Sequence, residues 1–361
     1  MNTPAALHAM GQSLWLDNIT REMLDDGSLK RYIDTLSVTG LTSNPSIFDN
    51  AIGNTAAYDE AIRTKAKAGL SGESLFNELA LEDLRRAADL FRPIYDATKG
   101  VDGWVSMEVS PLLAADTQGT IAAAKLIHDQ AIRVNLFVKI PGTPEGVPAI
   151  EEAIFAGVPV NVTLLFSREH YLAAAEAYMR GLERRHAAGL SLDVASVASL
   201  FISRWDAAVA GKVPERLINK LGIAVGARTY RAYRNLLASE RWQKLAAAGA
   251  QPQRLLWAST GTKDPSASPI LYIETLAVAD TVNTIPEKTL LALAAHTDEL
   301  NHEMATANAA GETVLSAYEA AGVNVSALAE RLQKEGAEAF VKSWQQLLQR
   351  IEQKSEKLTA A

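Results

Sequence analysis

The 361-residue chain contains no cysteine. Disulfides, thiol nucleophiles and thiolate metal sites are therefore excluded, and a reducing compartment is compatible with the composition. An excess of positive charge is also missing: 35 Lys and Arg stand against 42 Asp and Glu, a formal charge of −7. A nucleic-acid footprint usually requires a basic face, so no nucleic-acid partner is expected. No apolar stretch approaches the ~20 residues of a membrane span, and Met1 to Gln12 lacks the basic-then-apolar order of a secretory signal. A soluble, cytoplasmic protein with no membrane partner is the expectation. No glycine-rich nucleotide loop precedes a helix in the required form, since Gly222-Ile223-Ala224-Val225-Gly226 is too sparse. The histidines (His8, His128, His170, His186, His296 and His302) avoid the predicted strand ends, which argues against a His-based triad. His296 and His302 do not have the i, i+4 spacing of zinc hydrolases, so no metal is expected.

What remains is an ordinary globular composition, 48% hydrophobic and 21% charged, which rules out wholesale disorder. Short apolar runs alternate with longer helix-period segments, the pattern that builds parallel sheets from βα units. Eight strands are predicted: Leu14–Ile19, Val38–Ser43, Gly103–Val109, Val134–Ile140, Val158–Leu165, Val194–Ile202, Arg254–Thr260 and Asp280–Ile285. Thr143 suits an N-cap with Pro144 at the first helical position, and Gly157 closes that helix. Tyr171, Leu172, Ala175, Met179 and Leu182 have the spacing of a helix that covers a barrel. Thr284 with Glu287 reads as a capping box. Arg228, Arg231 and Arg234 fall near one helical face and read as solvated.

Eight strand-helix units without a linker favour one (β/α)8 TIM barrel spanning about residues 14–300, with a doubly wound sheet as the alternative. Two regions exceed the minimal barrel. Residues 206–253 have room for several helices. A C-terminal helical extension, about residues 301–356, carries Val325, Leu328, Leu332, Phe340, Trp344, Leu347, Leu348 and Ile351 on apolar faces on either side of Gly336. Those faces must bury, over the barrel or against a second subunit, so a homodimer is one open arrangement.

Lys139 is the lone amine in the apolar run Val134-Asn135-Leu136-Phe137-Val138-Lys139-Ile140. A strand this apolar is normally buried on both faces. Burial disfavours an ammonium and favours the neutral amine, which attacks carbonyls to form a Schiff base. The plainer reading is a strand-end lysine whose stem packs while its head reaches water or a carboxylate. In barrel enzymes the reactive groups sit at the C-terminal ends of strands. Asp17, Asn44, Glu108, Asn161 and Thr163 all occupy such places, and Asn161 and Thr163, two apart, share one face. Each alone is more often a satisfied buried polar group. Five around a buried lysine supply the acids, bases and donors that imine chemistry needs.

The segments LWLDNITR, TSNPSIF, VSMEVSP, LFVKIPGT and NVTLLFS occur in this order, and with them the chain resembles the transaldolases, class I Schiff-base aldolase barrels. The resemblance implies an enzyme of the pentose phosphate pathway, without cofactor or metal. It moves a dihydroxyacetone unit from sedoheptulose 7-phosphate (or fructose 6-phosphate) to glyceraldehyde 3-phosphate (or erythrose 4-phosphate). By position it gives Lys139 the Schiff base and Asp17 the proton of the hydroxyl at the cleaved bond. Glu108 and Thr163 would hold a proton-shuttling water, and Asn44 and Asn161 would bind hydroxyls of the dihydroxyacetone part. In Ala198-Ser199-Leu200-Phe201-Ile202-Ser203-Arg204, the same resemblance assigns Ser199 and Arg204 to the substrate phosphate and Phe201 to the substrate site. The chain departs from the family after the seventh strand, where a serine and an arginine are usual. Here Ser259 fits, but the second cation is Lys263, displaced and chemically different. Two alternatives stand beside transfer. A fructose 6-phosphate aldolase would release free dihydroxyacetone, and such relatives typically carry glutamine at the Glu108 place and tyrosine at the Phe201 place. A silent barrel would only bind sugar phosphate.

Overall fold

The computed structural model describes residues 2–297 and 304–360. All eight predicted strands form, each within a couple of residues of its expected limits: β1 (Gln12–Asp17), β2 (Val38–Thr42), β3 (Val105–Glu108), β4 (Leu136–Pro141), β5 (Val160–Leu165), β6 (Ser196–Phe201), β7 (Arg254–Ala258) and β8 (Thr281–Ile285). Every residue of β4, β5 and β6 is buried, as helices on the outside and packed side chains on the inside require of an all-parallel sheet. The strands are parallel and run in the order β2-β1-β8-β7-β6-β5-β4-β3. Between β2 and β3 the ring is drawn together by two backbone bonds, Leu41 N to Trp104 O at 2.9 Å and Gly103 N to Thr39 O at 2.9 Å. Gly40 permits this approach, because a Cβ there would lie 2.7 Å from Trp104 O and 2.8 Å from the Trp15 ring. The architecture is the expected (β/α)8 barrel.

The N-terminal end of the barrel is tied by a buried polar cluster. Asp102 accepts from Trp15 Nε1 at 2.7 Å, from Gly103 N at 3.1 Å and from Ser13 Oγ. Arg254 donates to Ser13 Oγ at 2.6 Å and to Thr281 O at 2.9 Å. Four strands or strand entries, those of β1, β3, β7 and β8, are thereby linked at the end away from the chemistry.

Local signals held where the side chain was free to act on its own backbone. Thr143 Oγ1 accepts from Gly146 N at 3.1 Å, although the regular helix begins at Gly146 rather than Pro144, and Gly157 closes it at φ +90°. The helix Arg168–Ala187 buries Tyr171, Ala175, Met179 and Leu182, whereas Leu172 is exposed. Residues 203–247 form three helices and a 3-10 turn. Arg228 and Arg231 bond Glu312, and Arg234 bonds Asp280, so the predicted arginine face is a surface of ion pairs. The capping box fails. Thr284 lies within β8 with its hydroxyl inside the barrel, 2.6 Å from Thr42 Oγ1, and Glu287 instead accepts from Tyr32 and Asn18. A strand side chain pointing inward cannot also turn to cap the next helix.

The expected start of the extension near residue 300, and His302 with it, fall outside the described residues. Beyond them lie the helices Met304–Ala320 and Val325–Ala360. The second is continuous through Gly336 and folds back on its own barrel, burying Val325, Leu328, Leu332, Phe340, Trp344, Leu347 and Ile351. Trp344 meets Phe76 edge-on at 5.0 Å, and Phe76 meets Phe48 at 5.3 Å. Arg350 pairs with Asp49 and Lys354 with Asp59. Gln333 donates to Gly142 O at 3.0 Å and Leu164 O at 2.9 Å, fastening the helix over the ends of β4 and β5.

Candidate active site

Strand register brings the chemistry together. Glu108 pairs with Lys139 across β3 and β4, and Lys139 with Asn161 across β4 and β5. Lys139 is 6% exposed; its Nζ donates to Ser43 O at 3.0 Å and lies 3.4 Å from Glu108 Oε2. The ammonium is thus held by one carbonyl and one carboxylate, with its remaining direction facing the barrel mouth.

Burial raises both neighbouring carboxyls above the usual range. For Asp17 this is opposed by the Lys139 charge, by the hydrogen bond from Thr42 at 2.8 Å and by the Lys263 charge. For Glu108 it is opposed by Lys139 and reinforced by Asp17. Neither oxygen of Glu108 has a protein hydrogen-bond partner, nor does Thr163 Oγ1, and all three atoms are buried. Glu108 Oε2 has only its ion pair with Lys139, and with the unpaired Glu108 Oε1 and Thr163 Oγ1 it can take up a small hydrogen-bonding molecule or protons in transit. Asn161, fully buried, donates to Ser106 Oγ at 3.1 Å and accepts from Ser199 Oγ at 2.7 Å, so its amide is rigidly oriented. Asn44 caps the helix Pro45–Asn54 by accepting from Ile47 N, which leaves its NH2 group available.

A cleft of about 140 Å³ opens above the lysine, lined by Asp17, Asn44, Lys139, Thr163, Ser199, Phe201, Arg204, Ser259 and Lys263 among others. Glu108 and Asn161 are the two expected site residues outside that lining; they lie under it, beside the lysine. At the far end Arg204 sits with its guanidinium carbon 5.1 Å from the Phe201 ring and 5.9 Å from the Phe340 ring. Among the described residues it has no carboxylate partner, and burial lowers it below the usual arginine range. A half-buried cation without an anion is costly, and a bound phosphate or carboxylate relieves that cost. A larger hollow, about 470 Å³, lies behind and shares only Lys263 with this cleft; Asp206, Val209, Val213 and Tyr272 line it.

Comparison with known proteins decides what kind of barrel this is. Residues 14–351 match the family model described as Transaldolase/Fructose-6-phosphate aldolase. The chain is 44% identical over 352 residues to the transaldolase of Saccharopolyspora erythraea, covering 96% of each chain. It is 43% identical over 351 residues to that of Thermobifida fusca, covering 95% of each, and 40% identical over 367 residues to that of Trichodesmium erythraeum, covering 97% of each. The chain belongs to the transaldolase/fructose-6-phosphate aldolase family. The resemblance read from the five sequence motifs is borne out across nearly its whole length, and with it the transferase class.

Within this transaldolase-family barrel, several site groups escaped the sequence reading. Thr42 and Thr284 bridge to Asp17, Ser43 offers only its backbone carbonyl to Lys139, and Ser106 orients Asn161. Phe340 reaches the cleft from the C-terminal helix. The threonines alternate inward on β2 and β8, which is a legible signal; a backbone acceptor and a contact made some 200 residues away in sequence leave none.

Proposed function

We propose that Lys139 carries the transaldolase reaction as a Schiff base, moving a dihydroxyacetone unit from a phosphorylated ketose such as sedoheptulose 7-phosphate or fructose 6-phosphate to a phosphorylated aldose. The amine adds to the ketose carbonyl, and Glu108, at 3.4 Å, accepts and returns protons as the carbinolamine loses water. Thr163 and Glu108 orient the water involved. Asp17 takes the proton of the hydroxyl on the carbon beyond the bond to be cleaved; that bond breaks, the aldose leaves, and the electron pair is held as an enamine on Lys139. Addition to the acceptor aldehyde and hydrolysis reverse these steps. Burial holds Asp17 and Glu108 above the usual carboxylate range, closer to working pH, which suits groups that exchange protons. Asn44 and Asn161 bind hydroxyls, while Ser199, Phe201, Arg204, Ser259 and Lys263 form the end that receives the phosphate.

The observation that carries this reading is a buried lysine paired with the buried Glu108 and sharing with half-buried Asp17 a cleft that ends at an unpaired arginine. Glu108 and Phe201 favour transfer over release of free dihydroxyacetone. In this reading the barrel and its C-terminal helices act as one unit in the cytoplasm. A homodimer is compatible with it, since all these residues come from one chain.

Borohydride reduction in the presence of fructose 6-phosphate, followed by peptide mapping, is the test. The expected result is a reduced dihydroxyacetone adduct on Lys139, with little free dihydroxyacetone formed when no acceptor is present. An adduct elsewhere, or none despite binding, sinks the mechanism.

A further inference from the structure

The helix Val325–Ala360 presents Gln333, Gly336 and Phe340 on one face, at helical spacing, toward the phosphate end of the cleft. Gln333 holds the carbonyl of Leu164, a residue whose φ of +59° is unusual for a bulky side chain. Gly336 lies directly over Leu164 and Arg204: a Cβ there would come 2.9 Å from Leu164 Cδ2 and 3.2 Å from Arg204 Nη1. Phe340, one turn on, approaches the same guanidinium as Phe201, at 5.9 Å, and itself lines the cleft. Arg204 therefore has aromatic rings and a bare stretch of helix as its surroundings, and no carboxylate or carbonyl among the described residues to fix its direction. Cation–π contacts of this kind orient a guanidinium while leaving its N–H groups free for an anion.

We propose that Gly336 and Phe340 are positioning residues for Arg204, so that discrimination in favour of phosphorylated substrates depends on the C-terminal helix. The inference rests on the reading that Arg204 binds the substrate phosphate. Glycine leaves the space in which the guanidinium lies, and Phe340 closes that space on the cleft side. Alanine at 336 would push the guanidinium away from the helix, and loss of the ring at 340 would let it swing.

The test compares glyceraldehyde 3-phosphate with unphosphorylated D-glyceraldehyde as acceptors, and measures inhibition by inorganic phosphate, in the full-length chain. Gly336→Ala and Phe340→Leu are expected to raise both the KM for glyceraldehyde 3-phosphate and the phosphate Ki by about three- to tenfold, with kcat little changed. For Gly336→Ala, kcat/KM for D-glyceraldehyde should stay near that of the parent; for Phe340→Leu it should fall by less than that for glyceraldehyde 3-phosphate, and Phe340→Tyr, which keeps an aromatic face, should restore phosphate affinity. Gly336→Ala gains helix propensity but presses on Leu164, so urea unfolding is measured beside the kinetics, and a packing loss shows as equal losses on both acceptors. Equal losses on both acceptors, or an unchanged phosphate Ki, overturn the proposal. Arg204→Ala separates the two layers. If it weakens phosphate while the helix variants do not, only the positioning role is wrong; if it leaves phosphate inhibition intact, the phosphate reading fails and the inference falls with it.

Discussion

Replacing Lys139 by methionine removes the nucleophile, but it also makes a thermodynamic prediction independent of catalysis. Lys139 is the group that opposes the upward displacement of both Asp17 and Glu108. At 3.4 Å from Glu108, with an effective dielectric constant near 20, the attraction is about 5 kcal/mol. The buried carboxyl need not lose all of that, because it can keep its proton instead. Holding a proton at pH 7 on a glutamate that would ionise near 4.3 when unfolded costs about 4 kcal/mol, which bounds the loss. The sign follows from proton counting: the native state retains protons that the unfolded chain has released, so stability falls as pH rises above the ordinary carboxylate range. The parent protein shows this fall too, since both folded pKa values are raised, but it ends when the two groups ionise. In Lys139→Met they ionise later. Urea unfolding across pH 4 to 8 should therefore show the two proteins separating by about 1.4 kcal/mol per pH unit for each carboxyl that has ionised in the parent and not in the variant. The variant becomes the less stable of the two, by at most about 4 kcal/mol for each carboxyl at pH 7. Parallel profiles would refute the reasoning, because they would mean that the lysine charge does not reach either carboxyl.

Two further outcomes separate catalytic from structural polar groups. Thr163→Val removes a buried hydroxyl that has no protein partner, so stability measured by urea unfolding should hold or rise, while kcat falls by about 10²-fold or more if that hydroxyl orients a water in proton transfer. Asp102→Ala, at the opposite end of the barrel, leaves Trp15 Nε1 and Ser13 Oγ without their acceptor, while Gly103 N keeps its bond to Thr39 O. It should lower unfolding stability by about 3–5 kcal/mol with kcat at the parent value, and a change in kcat at constant stability would contradict the separation of the two ends.

The eight strands were legible because a parallel barrel strand is buried on both faces, and β4, β5 and β6 accordingly read as short, mostly apolar runs with a few inward polar residues. Lys139 was legible for the same reason, as the one residue that such a strand should not contain. Signals of this kind depend on local composition, and they survive whatever the rest of the chain does. Thr284 shows where that stops. Its spacing to Glu287 satisfies a capping rule, but its inward direction on β8 and the Thr42 hydroxyl opposite it override the local preference. Gly336 shows a deeper gap. A glycine between two apolar helical stretches reads as a break, since it costs about 1 kcal/mol against alanine inside a helix, yet the helix runs through it unbroken. The cause lies in Leu164 and Arg204, residues more than a hundred positions away that need the space a side chain would fill. A residue that violates a local rule in an otherwise regular element therefore carries information about tertiary contacts. In this chain the two clearest violations are a lysine in a buried strand, which lines the cleft, and a glycine in a long helix, which lies against the arginine at the cleft's other end.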